Sequence, residues 1–258
     1  KDLSIDDVDV HAHADLKAVS MQDVVFDKDV TQGDLTLTVD KTKMDVVGVA
    51  LMTDLPINLK WTENFDDKAP FRAQYEIGAS IDDVEKIKSI GVDVSSLTDD
   101  IVQGGVDTTI RYTMFDERSG RVEIEADLVR AEMKLPMIDW RKASGDSGWA
   151  AVTILIENGL VKSVPSFEVN AGDLLVEGDI KYAPAGLGLE RINLKQVLLD
   201  RTNVSGAVIS RPDGGWELGL RGSEIDITPL WDRMFNDRPG RESMSLPDLT
   251  VAIELDKV

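Results

Sequence analysis

The sequence predicts an all-β chain, a meander of antiparallel strands with one or two short helices. Three observations predict it: apolar and polar residues alternate almost without interruption from Gly33 to Leu255, turn-forming clusters recur roughly every 8 to 12 residues, and helical periodicity is confined to two short stretches. The clearest segment is Val122-Glu-Ile-Glu-Ala-Asp-Leu128. Alternate side chains of a strand share a side, so Val122, Ile124, Ala126 and Leu128 form one apolar face and the carboxylates between them form the other. A strand of this kind cannot be buried on both sides. Its repetition gives the protein a large aliphatic sheet face backed by a charged one.

The elements follow in order. Leu35, Leu37 and Val39 alternate with threonine and aspartate, then Val47, Val49 and Leu51, then Ile57, Leu59 and Trp61. After a loop at Asp66 to Ala69, the alternation resumes from Phe71 to Ile77 and breaks at Gly78. Thr108 to Met114 and Val122 to Leu128 are joined by Asp116-Glu-Arg-Ser-Gly120, a polar, glycine-closed hairpin loop. Val152, Ile154 and Ile156 lead to a turn at Glu157-Asn-Gly159, where Asn-Gly supplies the left-handed conformations of a tight hairpin. Phe167, Val169 and Ala171 turn near Gly172-Asp173, and Leu174 to Tyr182 turn at Pro184-Ala-Gly186. Leu189 to Leu199 and Val204 to Ser210 reach a turn at Pro212-Asp-Gly-Gly215, and Leu218, Leu220, Ile225 and Ile227 close the series.

Two stretches depart from the pattern. Ser80 is an N-cap candidate, acidic residues follow it, and Ile81, Val84, Ile87 and Ile90 recur at helical spacing before Gly91, which predicts a short amphipathic helix near 81–90 lying against the sheet. Pro229 to Phe235 reads as another turn or two of helix, followed by a loop from Asn236 to Gly240. No shift in composition marks a boundary, so residues 1–258 read as one continuous domain.

Charge and composition exclude several classes of function. Lys and Arg total 28 against 48 Asp and Glu, a net charge of -20. A field of that sign repels phosphate backbones and anionic membrane surfaces, so nucleic acid is not an expected partner. The absence of cysteine removes disulfides, zinc-thiolate sites and thiol catalysis together. The chain begins at Lys1, and its first thirty residues hold no apolar run long enough for a signal peptide or a membrane span, so it reads as a piece of a longer protein.

Catalytic constellations are equally sparse. His11 and His13 are the only histidines, and Asp9-x-His11-x-His13-x-Asp15 places four metal-ligand side chains on one face of a strand. The plainer reading makes Val8, Val10, Ala12, Ala14 and Leu16 the buried face and the Asp/His series its solvated complement. With no third firm ligand elsewhere, both histidines are expected at the surface without metal, and no cofactor is expected. Carboxylate pairs such as Glu123 with Glu125, or Asp82 with Asp83, are uninformative in so acidic a chain, because glycoside hydrolysis needs two at a set separation around a sugar. No Gly-x-Ser-x-Gly elbow appears, and Gly186-Leu-Gly188 lies in a turn with no helix after it. The chain is therefore read as non-enzymatic. Only 5% of residues are aromatic, which argues against a carbohydrate platform and leaves an aliphatic surface suited to a plain core or to alkyl chains.

Four stretches carry a family resemblance: Leu55-Pro-Ile-Asn-Leu-Lys-Trp-Thr-Glu-Asn-Phe65; Asp127-Leu128 with Ala131, Leu135-Pro-Met-Ile-Asp-Trp140-Arg-Lys142 and Gly145; Gly172-Asp-Leu-Leu-Val-Glu-Gly178; and Gly222-Ser-Glu-Ile-Asp226. Together, over roughly Leu35 to Ile227, they resemble the repeated-strand region of AsmA-like bacterial envelope proteins of the YhdP and TamB type. The resemblance implies an elongated, twisted β-sheet groove, an open half-barrel, in the periplasm. It further implies a parent protein anchored in the inner membrane by a segment not present here, and a role in moving phospholipid between the inner and outer membranes.

About 16 strands at ~4.8 Å would make a sheet on the order of 75 Å across, too wide for a strongly twisted open sheet that neither curls nor splits. Curling into a trough with the aliphatic face inward is one solution, and a β-sandwich, serving as an interaction or scaffold module of the envelope, is the other. By parity the inward set is Leu37, Ile57, Leu59, Ile110, Tyr112, Ile124, Leu128, Ile154, Val169, Val176, Ile180, Leu194, Leu218 and Leu220, and the resemblance implies that this set faces lipid. Phospholipid acyl chains are the expected partner, with inner- and outer-membrane envelope proteins as further ones.

Overall fold

Strand follows strand along nearly the whole chain. The computed structural model describes residues 10–25, 28–82, 86, 101–183, 188–226, 228 and 248–255. It contains β1 (His11–Val25), β2 (Lys28–Asp40), β3 (Lys43–Met52), β4 (Leu55–Asn64), β5 (Ala73–Ile81), β6 (Val102–Gly104), β7 (Val106–Met114), β8 (Ser119–Asp127) and β9 (Ala131–Leu135). After a 3-10 turn at Pro136–Ile138 come β10 (Trp140–Lys142), β11 (Gly148–Glu157), β12 (Leu160–Ala171), β13 (Leu174–Tyr182), β14 (Leu189–Leu199), β15 (Thr202–Ser210), β16 (Trp216–Glu224) and β17 (Leu249–Leu255).

Fourteen of these strands form one sheet in chain order, and β10, β9 and β6 form a separate three-stranded sheet. Neighbours in the large sheet are antiparallel, except that β17 runs parallel to β16. The two edges, β1 and β17, do not meet, so the sheet is twisted and unclosed. The sandwich alternative is thereby corrected: the strands do not divide into two facing sheets of similar size.

Register shows how the sequence pattern becomes a surface. One row of paired residues crosses all the strands of the large sheet: Leu16, Leu35, Gly48, Leu59, Ile77, Ile110, Ile124, Val152, Phe167, Gly178, Leu194, Gly206, Leu220 and Ile253. Directly paired residues share a face, so the aliphatic side of each strand joins the next without a break. The parallel row on the other side carries Lys60, Glu76, Arg111 and Glu123. There Arg111 donates to the Glu76 carboxylate at 2.9 and 3.2 Å.

Glycines set the curvature. A Cβ on Gly48, Gly178, Gly206 or Gly222 would lie 2.0 to 2.2 Å from a carbonyl oxygen of an adjoining strand, those of Asp34, Asn193, Gly219 and Asn203. Each of the four sits on the apolar face, beside a register shift in the pairing with a neighbouring strand. A neighbouring backbone that approaches from the apolar side means the sheet bends toward that side, and bulges supply the extra twist. Around these glycines the sheet is therefore bent toward its apolar side.

The structure corrects several details of the reading. Gly78 does not end a strand: β5 continues through it, and Ser80 and Ile81 belong to the strand, not to a helix cap, because Ile81 extends the inward series and pairs with Val106. The rest of the expected helix, 83–85 and 87–90, lies outside the described residues, as does that of 229–235. In β3 the inward residues are Val46, Ala50 and Met52, whereas Val47 and Val49 are exposed. This strand is apolar on both sides, so alternation alone does not assign its faces. At the start of β1, Ala12 and the preceding Val10 are exposed with His11 and His13, since an edge strand has a neighbour on one side only. β16 stops at Glu224, leaving Ile225 outside it, with residue 227 outside the described set.

Gly206→Ala should cost about 1–3 kcal/mol in urea unfolding, because its methyl group would collide with a backbone oxygen. Gly219→Ala, where nothing lies within 4 Å of the added Cβ, should stay within about 0.5 kcal/mol. Equal effects would contradict the account of curvature.

Candidate apolar groove

The aliphatic face is continuous, but its burial is not uniform. In β3 to β8 it is a closed core: Leu59, Ile77 and Ile110 are each 1% exposed, and one buried cluster draws in Val25 and Val30 from β1 and β2. Partly buried Met21, Ile154 and Ile156 pack against that cluster. Aromatic rings extend it along one row, with Trp61 and Tyr75 stacked at 5.4 Å between centroids and Tyr75 and Tyr112 at 6.3 Å. Burial pushes the Tyr75 hydroxyl up to about 12, with the nearby Glu63 charge acting the same way. The Trp61 indole N–H is buried without a hydrogen-bond acceptor among the described residues.

From β12 onward the same face is less completely covered, although Val164 and Val204 on it are still 5% and 4% exposed. Phe167, Val169, Val176, Ile180, Ile192, Leu194, Val197, Val208, Leu218 and Leu220 are all half-buried. At the far edge Val251 and Ile253 are 49% and 46% exposed. Each half-exposed aliphatic residue forgoes part of the roughly 1.5–3 kcal/mol that full burial would contribute. Among the described residues this part of the face is therefore only partly covered.

The three-stranded sheet covers one end of this face. Trp140 packs with Ala171 and Leu174, joined by Leu135, Ile138 and Met133 on one side and Val169, Val176 and Leu199 on the other. A second cluster joins Val102 and Ala131 to Val106 and Leu128. Polar anchors hold the small sheet in place. The Trp140 indole N–H donates to Asp173 Oδ1 at 2.7 Å. Lys142 is 1% exposed, and its Nζ donates to the carbonyl oxygens of Leu128, Ala131 and Ala143 at 2.8, 2.9 and 3.2 Å. Its stem passes over Gly148, where a Cβ would lie 2.7 Å from Lys142 Cε. A buried ammonium is costly unless its donors are satisfied, and here three backbone acceptors satisfy them. Arg130, on the turn leading into β9, donates to Ser80 at 2.7 Å and Asp107 at 2.8 Å, tying that turn to β5 and β7.

All of the expected inward residues lie on the apolar face, yet they do not form one open wall. Ile57, Leu59 and Ile110 belong to the closed core, and Leu128 is buried beneath the small sheet. Leu37, Tyr112, Ile124 and Ile154 are half-buried at or near that core, Val169 and Val176 are half-buried against the Trp140 cluster beneath the small sheet, and Ile180, Leu194, Leu218 and Leu220 lie in the open part. Val197, Val208, Val251 and Ile253 belong with them; the first two follow from the same parity, and the last two lie on β17, beyond the point at which the series of expected strands closes.

His13 lies 3.9 Å from Asp15, both well exposed, and no group of three or more His, Asp or Glu suited to a metal occurs among the described residues. No helix among them is long and apolar enough to cross a membrane. Two shallow depressions, about 900 and 720 Å³, lie on the outer, polar face, one floored by Gly78, Thr109 and Ala151 and the other by Ser205, Ala207 and Gly219. Both lie behind the apolar surface. Comparison with family models, curated proteins and solved structures finds no match for this chain.

Carboxylates hold turns between strands, as at the β2–β3 turn. Asp40 accepts from Thr42 Oγ1 at 2.5 Å and from the backbone N–H groups of Thr42 and Lys43 at 2.6 and 3.0 Å, and these bonds, the Thr42 side chain first, lower its carboxyl to about 2. A depressed folded value stabilises the turn above the unfolded carboxyl value of 3.8, and that contribution is lost as pH falls through about 2. An NMR titration of Asp40 should give a midpoint near 2; a midpoint at the ordinary carboxylate value would mean that the turn bonds do not form in solution.

Proposed function

We propose that this chain binds the hydrocarbon tails of phospholipid on the apolar face of β12 to β17 and passes lipid along its sheet without chemistry. The observation that carries this reading is the incompletely buried aliphatic surface, continuous with a closed core on one side and backed by a charged face on the other. A monomeric soluble domain rarely leaves so extended an apolar surface to water, and alkyl chains match its aliphatic, aromatic-poor composition. Exposure to water costs an acyl chain ~0.8 kcal/mol per CH₂, on the order of 12 kcal/mol for about 16 carbons, so an apolar wall lowers a large barrier to lipid movement. Headgroups remain in water at the rim, and the acidic outer face keeps the protein soluble.

The resemblance to AsmA-like envelope proteins supports the setting: the bacterial periplasm, in a bridge between inner and outer membranes, with a parent protein anchored in the inner membrane and envelope proteins at either end. An interaction module is the alternative class. Its partner would cover the same open face with protein in place of lipid.

The closed and open halves make the test specific. Ile154, half-buried against the core, mixes the two effects, and Leu194 and Ile110 separate them. Leu194→Asp should reduce phospholipid adducts in native mass spectrometry at least tenfold while unfolding cooperatively at a slightly lower denaturant concentration. Ile110→Asp, which buries an unpaired carboxylate, should cost about 4–5 kcal/mol or prevent folding. Unmodified protein that takes up no phospholipid from vesicles would refute the proposal.

A further inference from the structure

Along β12 to β14 the open wall ends where the three-stranded sheet begins. Trp140 is buried over Leu174 and Ala171, whereas farther along the same strands Phe167, Ile180 and Ile192 are half-buried and belong to none of the buried clusters among the described residues, with Val164 beside Ile180 buried. The boundary is a fixed one. Trp140 is held by Asp173 at 2.7 Å, and Lys142, two residues on, binds three backbone carbonyls. A lid that opens would lose all of these bonds and strand a buried ammonium, so the arrangement suits a rigid wall.

We propose that the small sheet is a stop that sets the length of hydrocarbon the groove accepts, with a tail lying along β13 and β14 and its terminal methyl against Trp140. This rests on the reading that the face binds lipid tails, and it assigns Trp140 as the residue that determines tail-length specificity. The dimensions agree. From Val176, beside Trp140, to Tyr182 at the other end of β13 is ~20 Å at ~3.3 Å per residue. The tails of one bilayer leaflet occupy ~15 Å, so one whole tail fits between the stop and the rim. The stop is built from the spacing of the motif itself: in Trp140-Arg141-Lys142 alternate residues face inward, the first as the wall and the third as its anchor, while Arg141 is exposed.

The test is a series of saturated lysophosphatidylcholines of increasing tail length, bound to the full chain and competed against a fluorescent fatty acid. Affinity should rise about fourfold per added methylene until the tail fills the groove, then cease to rise. Trp140→Ala should move that break to longer tails, and Asp173→Ala, which removes only the acceptor that holds the ring, should move it in the same direction by less. Asp173→Ala alone decides the matter if Trp140→Ala does not fold. A break at the same length in the folded variants as in the unmodified protein, or no break in any, overturns the stop while leaving tail binding intact. No binding at any length overturns both.

Discussion

A single sheet with an aliphatic side has to hide that side, and the rest of this structure depends on how far it succeeds. Fourteen strands share one apolar row from Leu16 to Ile253. No second sheet of similar size covers it among the described residues. Bending is the remaining solution, and four glycines beside register shifts allow neighbouring backbones to close in on the apolar side. In the first half this is enough to make a closed core. In the second half the same chemistry remains half-exposed, and a surface that would be an error in a closed domain becomes the feature that suggests a ligand.

The small three-stranded sheet divides these two outcomes. It provides the additional cover at the ends of β7, β8 and β11 to β14, and it does so with one buried lysine and one indole hydrogen bond. Burying an ammonium against three carbonyls adds directionality that an aliphatic contact lacks. It fixes where the covered part of the face stops and the open part starts.

Much of this was legible in the residues. Strict alternation in Val122 to Leu128 assigns its faces, and turns such as Glu157-Asn-Gly159 bring successive strands together as expected, with Asn158 and Gly159 both at positive φ. The limits are physical as well. β3 is aliphatic at Val46, Val47 and Val49 alike, so its parity depends on the strands beside it. Ser80 and Ile81 carry both a helix-cap pattern and the last inward positions of a strand, and pairing with β7 decides between them. The three-stranded sheet is made of pieces too short for a period to show. The stretch that holds Trp140 and Lys142 stands out in the sequence only as part of the family resemblance, and nothing in it shows that the lysine is buried. Alternation assigns a residue to the apolar face but not to its closed or open part, because that depends on curvature contributed by other strands.

The most direct measurement of the central claim is photocrosslinking of phospholipid to single probe residues placed across both faces. The account predicts lipid capture at Leu194, Leu220 and Ile253, little at Ile110, and none at Glu123 or Arg111 on the outer face. Equal capture on both faces, or none at any position of β12 to β17, would contradict it.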